Sequence, residues 1–147
     1  MKIALAQFNP TVGDFSGNTA RILELASQAK QRGADLAVFS ELCVCGYLPL
    51  DLLERPIFVE RNRREVECLA RKTPLPILIG YAIDANGATG KRVYNAAALL
   101  ANGEILFVNN YSVLHARTGF EGLSRVLLRV RFNEELDSMN ETPSAEP

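Results

Sequence analysis

The residue with the clearest chemical potential is Glu41, which follows a short apolar run. Residues 36–39 are four apolar residues that end before a glycine-containing loop, a pattern typical of a short buried strand. A carboxylate at the carboxyl end of such a strand faces the crevice in which open α/β sheets bind ligands. We therefore predict that Glu41 is a largely buried general base facing a cavity near Tyr47. The alternative is a solvated glutamate in the following turn.

Two cysteines lie close to Glu41 and could supply a nucleophile. Cys43 and Cys45 form a Cys-x-Cys pair, whereas Cys68 lies in a helical stretch. A thiolate beside a carboxylate could attack a carbonyl carbon, but buried free cysteines usually act as small apolar side chains. The Cys-x-Cys pair and the single histidine, His115, lack a second ligand pair at zinc-binding spacing. The pattern favours packing roles, with no disulfide, no metal and no other cofactor.

Composition argues against several functional classes. The 147 residues are 48% hydrophobic and 22% charged, with a net charge of −1, so no attraction to nucleic acid or to a membrane surface is expected. No apolar run approaches the roughly 20 residues of a membrane span, and the first residues do not resemble a signal peptide. The sequence predicts a globular cytoplasmic protein without nucleic-acid or membrane partners.

Hydrophobic periodicity predicts a mixed α/β architecture. Strands are expected over residues 3–8, 36–39, 75–81, 93–100 and 104–108. A helix capped by Asn18 should run to a stop at Gly33, and a second should begin at Pro56 and reach about Lys72. Both helices are expected on one face of the sheet, and Asn102-Gly103 predicts a hairpin between the last two strands.

The final third of the sequence changes character. Apolar and basic residues alternate over residues 128–132, as in a half-buried strand. Residues 133–147 are polar, acidic and proline-containing, and such a composition cannot bury a core. We therefore predict one domain over residues 1–132 and a disordered tail over residues 133–147.

A series of landmarks occurs in a specific order along residues 1–108. After the opening Met1-Lys2-Ile3-Ala4-Leu5-Ala6-Gln7-Phe8-Asn9-Pro10, they are Gly33-Ala34-Asp35-Leu36, Ser40-Glu41-Leu42, Cys45-Gly46-Tyr47, Asp51-Leu52-Leu53, Tyr94-Asn95-Ala96-Ala97 and Gly103-Glu104-Ile105-Leu106. This order resembles the nitrilase (carbon–nitrogen hydrolase) superfamily, most of all the N-terminal glutaminase domain of glutamine-dependent NAD synthetases. The resemblance implies a nitrilase-like α-β-β-α sandwich, incomplete relative to the family. It also implies a homodimer paired through the helical layers.

The resemblance further implies amide hydrolysis by a glutamate base, a lysine and a cysteine nucleophile. In that family, ammonia released from glutamine supplies a synthetase domain, which is absent from this sequence. Glu41 matches the glutamate, but the lysine should follow the strand ending near Phe107, and no cysteine follows Cys68. The lysines of the chain are Lys2, Lys30, Lys72 and Lys91. Two of the three catalytic groups are therefore predicted to be missing, and the chain to be inactive by itself.

Two tyrosines are candidate substrate contacts. Tyr47 follows Glu41 by six residues and is expected at the mouth of the pocket, and Tyr111 resembles the family tyrosine that helps to bind glutamine. Both could equally be packing aromatics with a solvated hydroxyl. Three hypotheses remain open: a glutamine amidohydrolase domain, a non-catalytic homologue used for binding or assembly, and a damaged or truncated gene product.

Overall fold

The computed structural model describes residues 1–84 and 92–108. The predictions for Tyr111, His115, the strand over residues 128–132 and the tail over residues 133–147 lie outside these ranges. The described elements are, in order, β1 (Ile3–Leu5), α1 (Phe15–Gln31), β2 (Leu36–Val38), a 3₁₀ helix (Leu50–Glu54), α2 (Pro56–Lys72), β3 (Ile77–Asp84), β4 (Val93–Ala101) and β5 (Glu104–Val108). Within them, no helix is long and apolar enough to cross a membrane.

The five strands form one mixed sheet in the order β1-β2-β3-β4-β5. Strands β1, β2 and β3 are parallel, and β4 and β5 continue the sheet as antiparallel neighbours. The predicted parallel pairing of the first two strands is confirmed. Strand β1 is shorter than expected, because the chain leaves the sheet after Ala6, whose N–H still donates to the Val38 carbonyl at 2.8 Å.

Both helices pack on the same face of the sheet, as predicted. Helix α1 buries Ile22, Leu25, Ala26 and Ala29, and the rings of Phe15 and Phe58 meet between the two helices with centroids 5.0 Å apart. Helix α2 begins with Pro56, whose missing N–H costs nothing at the first helical position. The cap of α1 is Asp14, which accepts from the Gly17 N–H, so the predicted Asn18 cap is wrong.

The hairpin between β4 and β5 is confirmed at the predicted dipeptide. Asn102 and Gly103 both have positive φ angles, 51° and 83°, which is the conformation that a two-residue hairpin turn requires. The turn fixes the register in which Ala101 pairs with Glu104, so each side of these strands has a defined set of side chains.

The two faces of the sheet differ in burial. On the helix-covered face, Ile77, Ile79 and Leu100 are at most 1% exposed. The opposite face, here called the outer face, carries the alternate side chains of the same strands. Its larger aliphatic side chains, among those that the structure describes, are half-buried or exposed, and they are Ile3, Leu5, Leu36, Val38, Leu78, Val93, Leu99 and Leu106. Neither α1 nor α2 covers this face, which is the one that supports Glu41.

Candidate functional site

Glu41 lies in the loop that leaves β2 and crosses the outer face of β3. The Phe39 N–H donates to the Leu78 carbonyl at 2.8 Å, and Leu42 then turns the chain with a φ of 50°. A Cβ atom built on Gly80 would lie only 2.7 Å from the Glu41 Cα atom. The missing side chain at Gly80 is therefore what allows this loop to lie directly on the sheet.

The Glu41 carboxylate is held by a residue from the neighbouring strand. Asn95, in β4, donates a hydrogen bond from Nδ2 to Glu41 Oε1. The expectation that Glu41 is largely buried is wrong, since both side chains are exposed. The physical reason is that the loop lies on the outer face, which neither described helix covers. Among residues 1–84 and 92–108, the exposed carboxylate is held by one amide, that of Asn95.

Asn95 is the site residue that sequence reasoning missed. It was part of the landmark Tyr94-Asn95-Ala96-Ala97, but no role followed from that position. A polar amide inside the otherwise apolar strand Val93–Ala101 was a usable signal. What the sequence lacked was the partner, because Glu41 is 54 positions away along the chain.

The two cysteines near Glu41 point into the core. Cys43 and Cys45 are each 0% exposed, and their thiols face backbone carbonyls, with Cys43 Sγ 3.7 Å from the Gly80 oxygen and Cys45 Sγ 3.6 Å from the Gly46 oxygen. Burial raises the pKa of Cys43 to about 12 and that of Cys45 to about 11. Both groups are neutral thiols at physiological pH, which removes their nucleophilic form. All three cysteines are free.

The cysteine-containing loop is anchored to the start of α1. Asn18, 4% exposed, donates from Nδ2 to the Thr11 and Val44 carbonyls at 2.8 and 3.1 Å and accepts from the Thr11 N–H. The Gly13 N–H donates to the Cys45 carbonyl at 2.9 Å. These bonds fix the backbone on the carboxyl side of Glu41, so only the glutamate side chain depends on Asn95.

Tyr47 is 56% exposed, and its neighbour Leu48 is 51% exposed.

The described residues also line two surface cavities away from Tyr47. One lies between the start of α1 and α2, and the other, of about 460 Å³, lies between α2 and the sheet. Glu60 lines both cavities. Hydrogen bonds from Arg63, and to a smaller extent from Arg64, lower the pKa of Glu60 to about 2. Within the described ranges, no three His, Cys, Asp or Glu side chains cluster as metal ligands.

Comparisons with known proteins agree on one family. A family model described as carbon-nitrogen hydrolase matches residues 2–136. A glutamine-dependent NAD(+) synthetase from Synechocystis is 44% identical over 108 residues, covering 70% of this chain and 19% of the relative. The corresponding protein from Thermotoga maritima is 39% identical over 130 residues, covering 82% and 22%. The chain thus spans about a fifth of the length of these curated relatives.

Solved structures give the same result. The glutamine-dependent NAD+ synthetase of Acinetobacter baumannii aligns with a TM-score of 0.65 at 37% identity, covering 73% of this chain and 20% of that one. An amidase from Nesterenkonia sp. aligns with a TM-score of 0.59 at 26% identity, covering 72% of this chain and 40% of the amidase. These alignments confirm the predicted nitrilase-like fold and its incompleteness relative to those structures.

Proposed function

The chain belongs to the carbon–nitrogen hydrolase family, and we propose that it carries the general base of a glutamine amidohydrolase site, namely Glu41. The observation that supports this most is the position of the carboxylate. It follows a strand of a parallel pair, lies over Gly80 and is held by Asn95. The relatives from Synechocystis and Thermotoga maritima are named glutamine-dependent NAD(+) synthetases, which supports glutamine as the substrate.

In this role Glu41 accepts a proton as a nucleophile attacks the side-chain amide carbon of glutamine. Glu41 then returns this proton to the amide nitrogen, which leaves as ammonia for a synthetase domain to consume, and water releases the acyl group from the nucleophile as glutamate. Exposure of the carboxylate fits a base that must meet a substrate. The same chemistry is consistent with the solved neighbour that is named an amidase.

We further propose that these 147 residues do not hydrolyse glutamine without another chain or segment. Cys43 and Cys45 are buried neutral thiols, so neither can serve as the attacking group beside Glu41. No lysine follows Lys91 and no cysteine follows Cys68. A general base without a positioned nucleophile gives little turnover, because these groups act as a unit.

The test is a graft in which the matched segment of this chain replaces the corresponding part of the Synechocystis relative. If Glu41 is the base, the graft should make NAD from glutamine, and Glu41→Gln should lower that rate by about 10³-fold, within the range for general-base catalysis. Synthesis from added ammonia should be unchanged, because it bypasses amide hydrolysis.

The ammonia-driven reaction is also the folding control. A graft that uses ammonia but not glutamine would contradict the proposal, as would Glu41→Gln with an undiminished glutamine-driven rate. Glu54→Gln is a matched control, since Glu54 ends the 3₁₀ helix that follows the Glu41 loop.

A non-catalytic assembly role is the second candidate, and the neutral thiols favour it. It would use a homodimer paired through α1 and α2. On this arrangement Ile57, 80% exposed on α2, lies in the interface, whereas Leu106 on the outer face does not. Light scattering should then give a monomer for Ile57→Glu and a dimer for Leu106→Glu. The reverse result would contradict pairing through the helices.

Further proposals concern the substrate contacts, the extent of the domain and the location of the protein, and they rest on the sequence. We propose Tyr47 and Tyr111 as glutamine contacts, a single domain over residues 1–132, a disordered tail over residues 133–147 and a cytoplasmic location. The exposure of Tyr47 supports its part in this proposal, because an exposed ring beside the Glu41 loop can reach a ligand. Replacing Tyr47 by Ala in the graft should raise the KM for glutamine more than it lowers kcat.

A further inference from the structure

The contact between Glu41 and Asn95 joins a loop to a rigid strand. Asn95 pairs with Ala82 of β3, two positions along the strand from Gly80. Because side chains alternate along a strand, Asn95 and the space above Gly80 lie on the same face of the sheet. Asn95 is thus placed to reach the Glu41 side chain, whose own backbone already rests on β3.

From this geometry we propose that Asn95 is a positioning residue that selects which oxygen of Glu41 acts as the base. Asn95 Nδ2 donates its hydrogen bond to Oε1 of Glu41. No other donor among residues 1–84 and 92–108 is hydrogen-bonded to this carboxylate. Oε2 is then the oxygen that accepts the proton. The inference rests on the proposed base function of Glu41 and adds a residue to it.

An amide is chemically suited to this task. Its N–H₂ group donates hydrogen bonds but does not ionise near neutral pH, so it cannot compete for the proton that the base must take. It also brings no positive charge, unlike lysine or arginine, which would pair with the carboxylate as an ion. Asn95 can therefore orient Glu41 without neutralising it.

The competing explanation is an incidental contact between two exposed polar side chains. Such contacts are easily exchanged for water and leave both side chains free to change rotamer. The two explanations differ in what they predict for the Glu41 side chain when Asn95 is altered. They also differ in the predicted kcat for glutamine: substitution of Asn95 lowers kcat with little change in KM if Asn95 positions Glu41, and leaves kcat unchanged if the contact is incidental.

The first experiment is side-chain NMR on the full 147-residue chain. In the positioning account, the Asn95 amide signals move less in Glu41→Gln, whose neutral amide oxygen still accepts a hydrogen bond, than in Glu41→Ala, which has no acceptor. The three-bond couplings of Glu41 indicate one rotamer in the wild type and rotamer averaging in Asn95→Ala. Averaged couplings in the wild type would overturn the inference.

The second experiment uses the graft described above. Asn95→Ala and the isosteric Asn95→Asp, which loses the donor, should lower the glutamine-driven kcat by about 10²-fold, a typical effect of misplacing a catalytic group. The KM for glutamine should stay within about twofold of the unsubstituted graft, and the ammonia-driven rate should not change. A loss of fold stability alone would lower both rates together.

The two proposals fail in distinguishable ways. If Glu41→Gln abolishes glutamine use and the Asn95 variants do not affect it, the positioning role is wrong and the base assignment stands. If the Asn95 signals respond to Glu41→Ala while Glu41→Gln keeps full glutamine-driven activity, the base assignment itself is wrong, and the positioning role falls with it.

Discussion

Glu41 and the two cysteines that follow it occupy opposite environments within five residues. The carboxylate lies on the outer face, exposed and held by Asn95. Cys43 and Cys45 turn inward, where they have no exposed surface and have raised pKa values. Proximity in sequence therefore does not make them one catalytic unit. The loop presents the Glu41 carboxylate to solvent and uses its thiols as packing.

The conformation of the loop explains this difference. Leu42 adopts a left-handed φ of 50°, which reverses the direction of the chain between Glu41 and Cys43. Such a conformation costs a non-glycine residue on the order of 1 kcal/mol, so the surrounding contacts must enforce it. Gly80 below the loop and Asn18 beside it provide those contacts.

The largest expected effect concerns thiol reactivity. In the native chain at pH 8, Cys43 should react with a disulfide reagent about 10³-fold more slowly than in urea, and Cys45 about 10²-fold more slowly. Thiols with pKa values of about 12 and 11 are only about 10⁻⁴ and 10⁻³ ionised at that pH, whereas an unperturbed thiol is on the order of one-tenth ionised. Peptide mass spectrometry after timed labelling gives the rate at each cysteine. Rapid labelling of Cys43 or Cys45 in the native chain would contradict the contrast between buried thiols and an exposed Glu41 carboxylate.

The next effect is the pH dependence of stability. The raised pKa values of Cys43 and Cys45 mean that their stabilisation is complete below about pH 9 and is lost as the pH rises towards 11–12. The free energy of unfolding should then fall with pH by up to about 1.4 kcal/mol per unit for each thiol. Urea unfolding from pH 8 to 10.5 measures this slope, which should be shallower in a Cys43→Ala/Cys45→Ala variant. Equal slopes would contradict the burial of neutral thiols.

A smaller effect is expected at Gly80. Replacing it by Ala places a Cβ atom 2.7 Å from the Glu41 Cα atom, and such overpacking typically costs about 1–3 kcal/mol. The Asn95 side-chain amide signals should shift as the loop moves, which links this position to the site. Gly33→Ala is the comparison, since it meets no atom within 4 Å but has a φ of 74°. It should destabilise the chain without shifting the Asn95 signals.

Local chemistry made much of the fold predictable. Asn102-Gly103 specified the hairpin and Pro56 specified the start of α2, because turn and cap preferences act over a few residues. The burial of Glu41 was predicted wrongly, because it depends on what covers the outer face rather than on neighbouring residues. The Asn95 contact escaped prediction for the same reason, since β4 must first be placed beside β3.

The most direct measurement of the central contrast is ammonia release from glutamine by the purified 147-residue chain. The wild type, Glu41→Gln and Cys43→Ala/Cys45→Ala should all give the rate of a protein-free blank, because the proposed base, Glu41, has no ionised thiol beside it. Release by the wild type that disappears in the cysteine variant would contradict this account, since a thiol next to Glu41 would then be the attacking group.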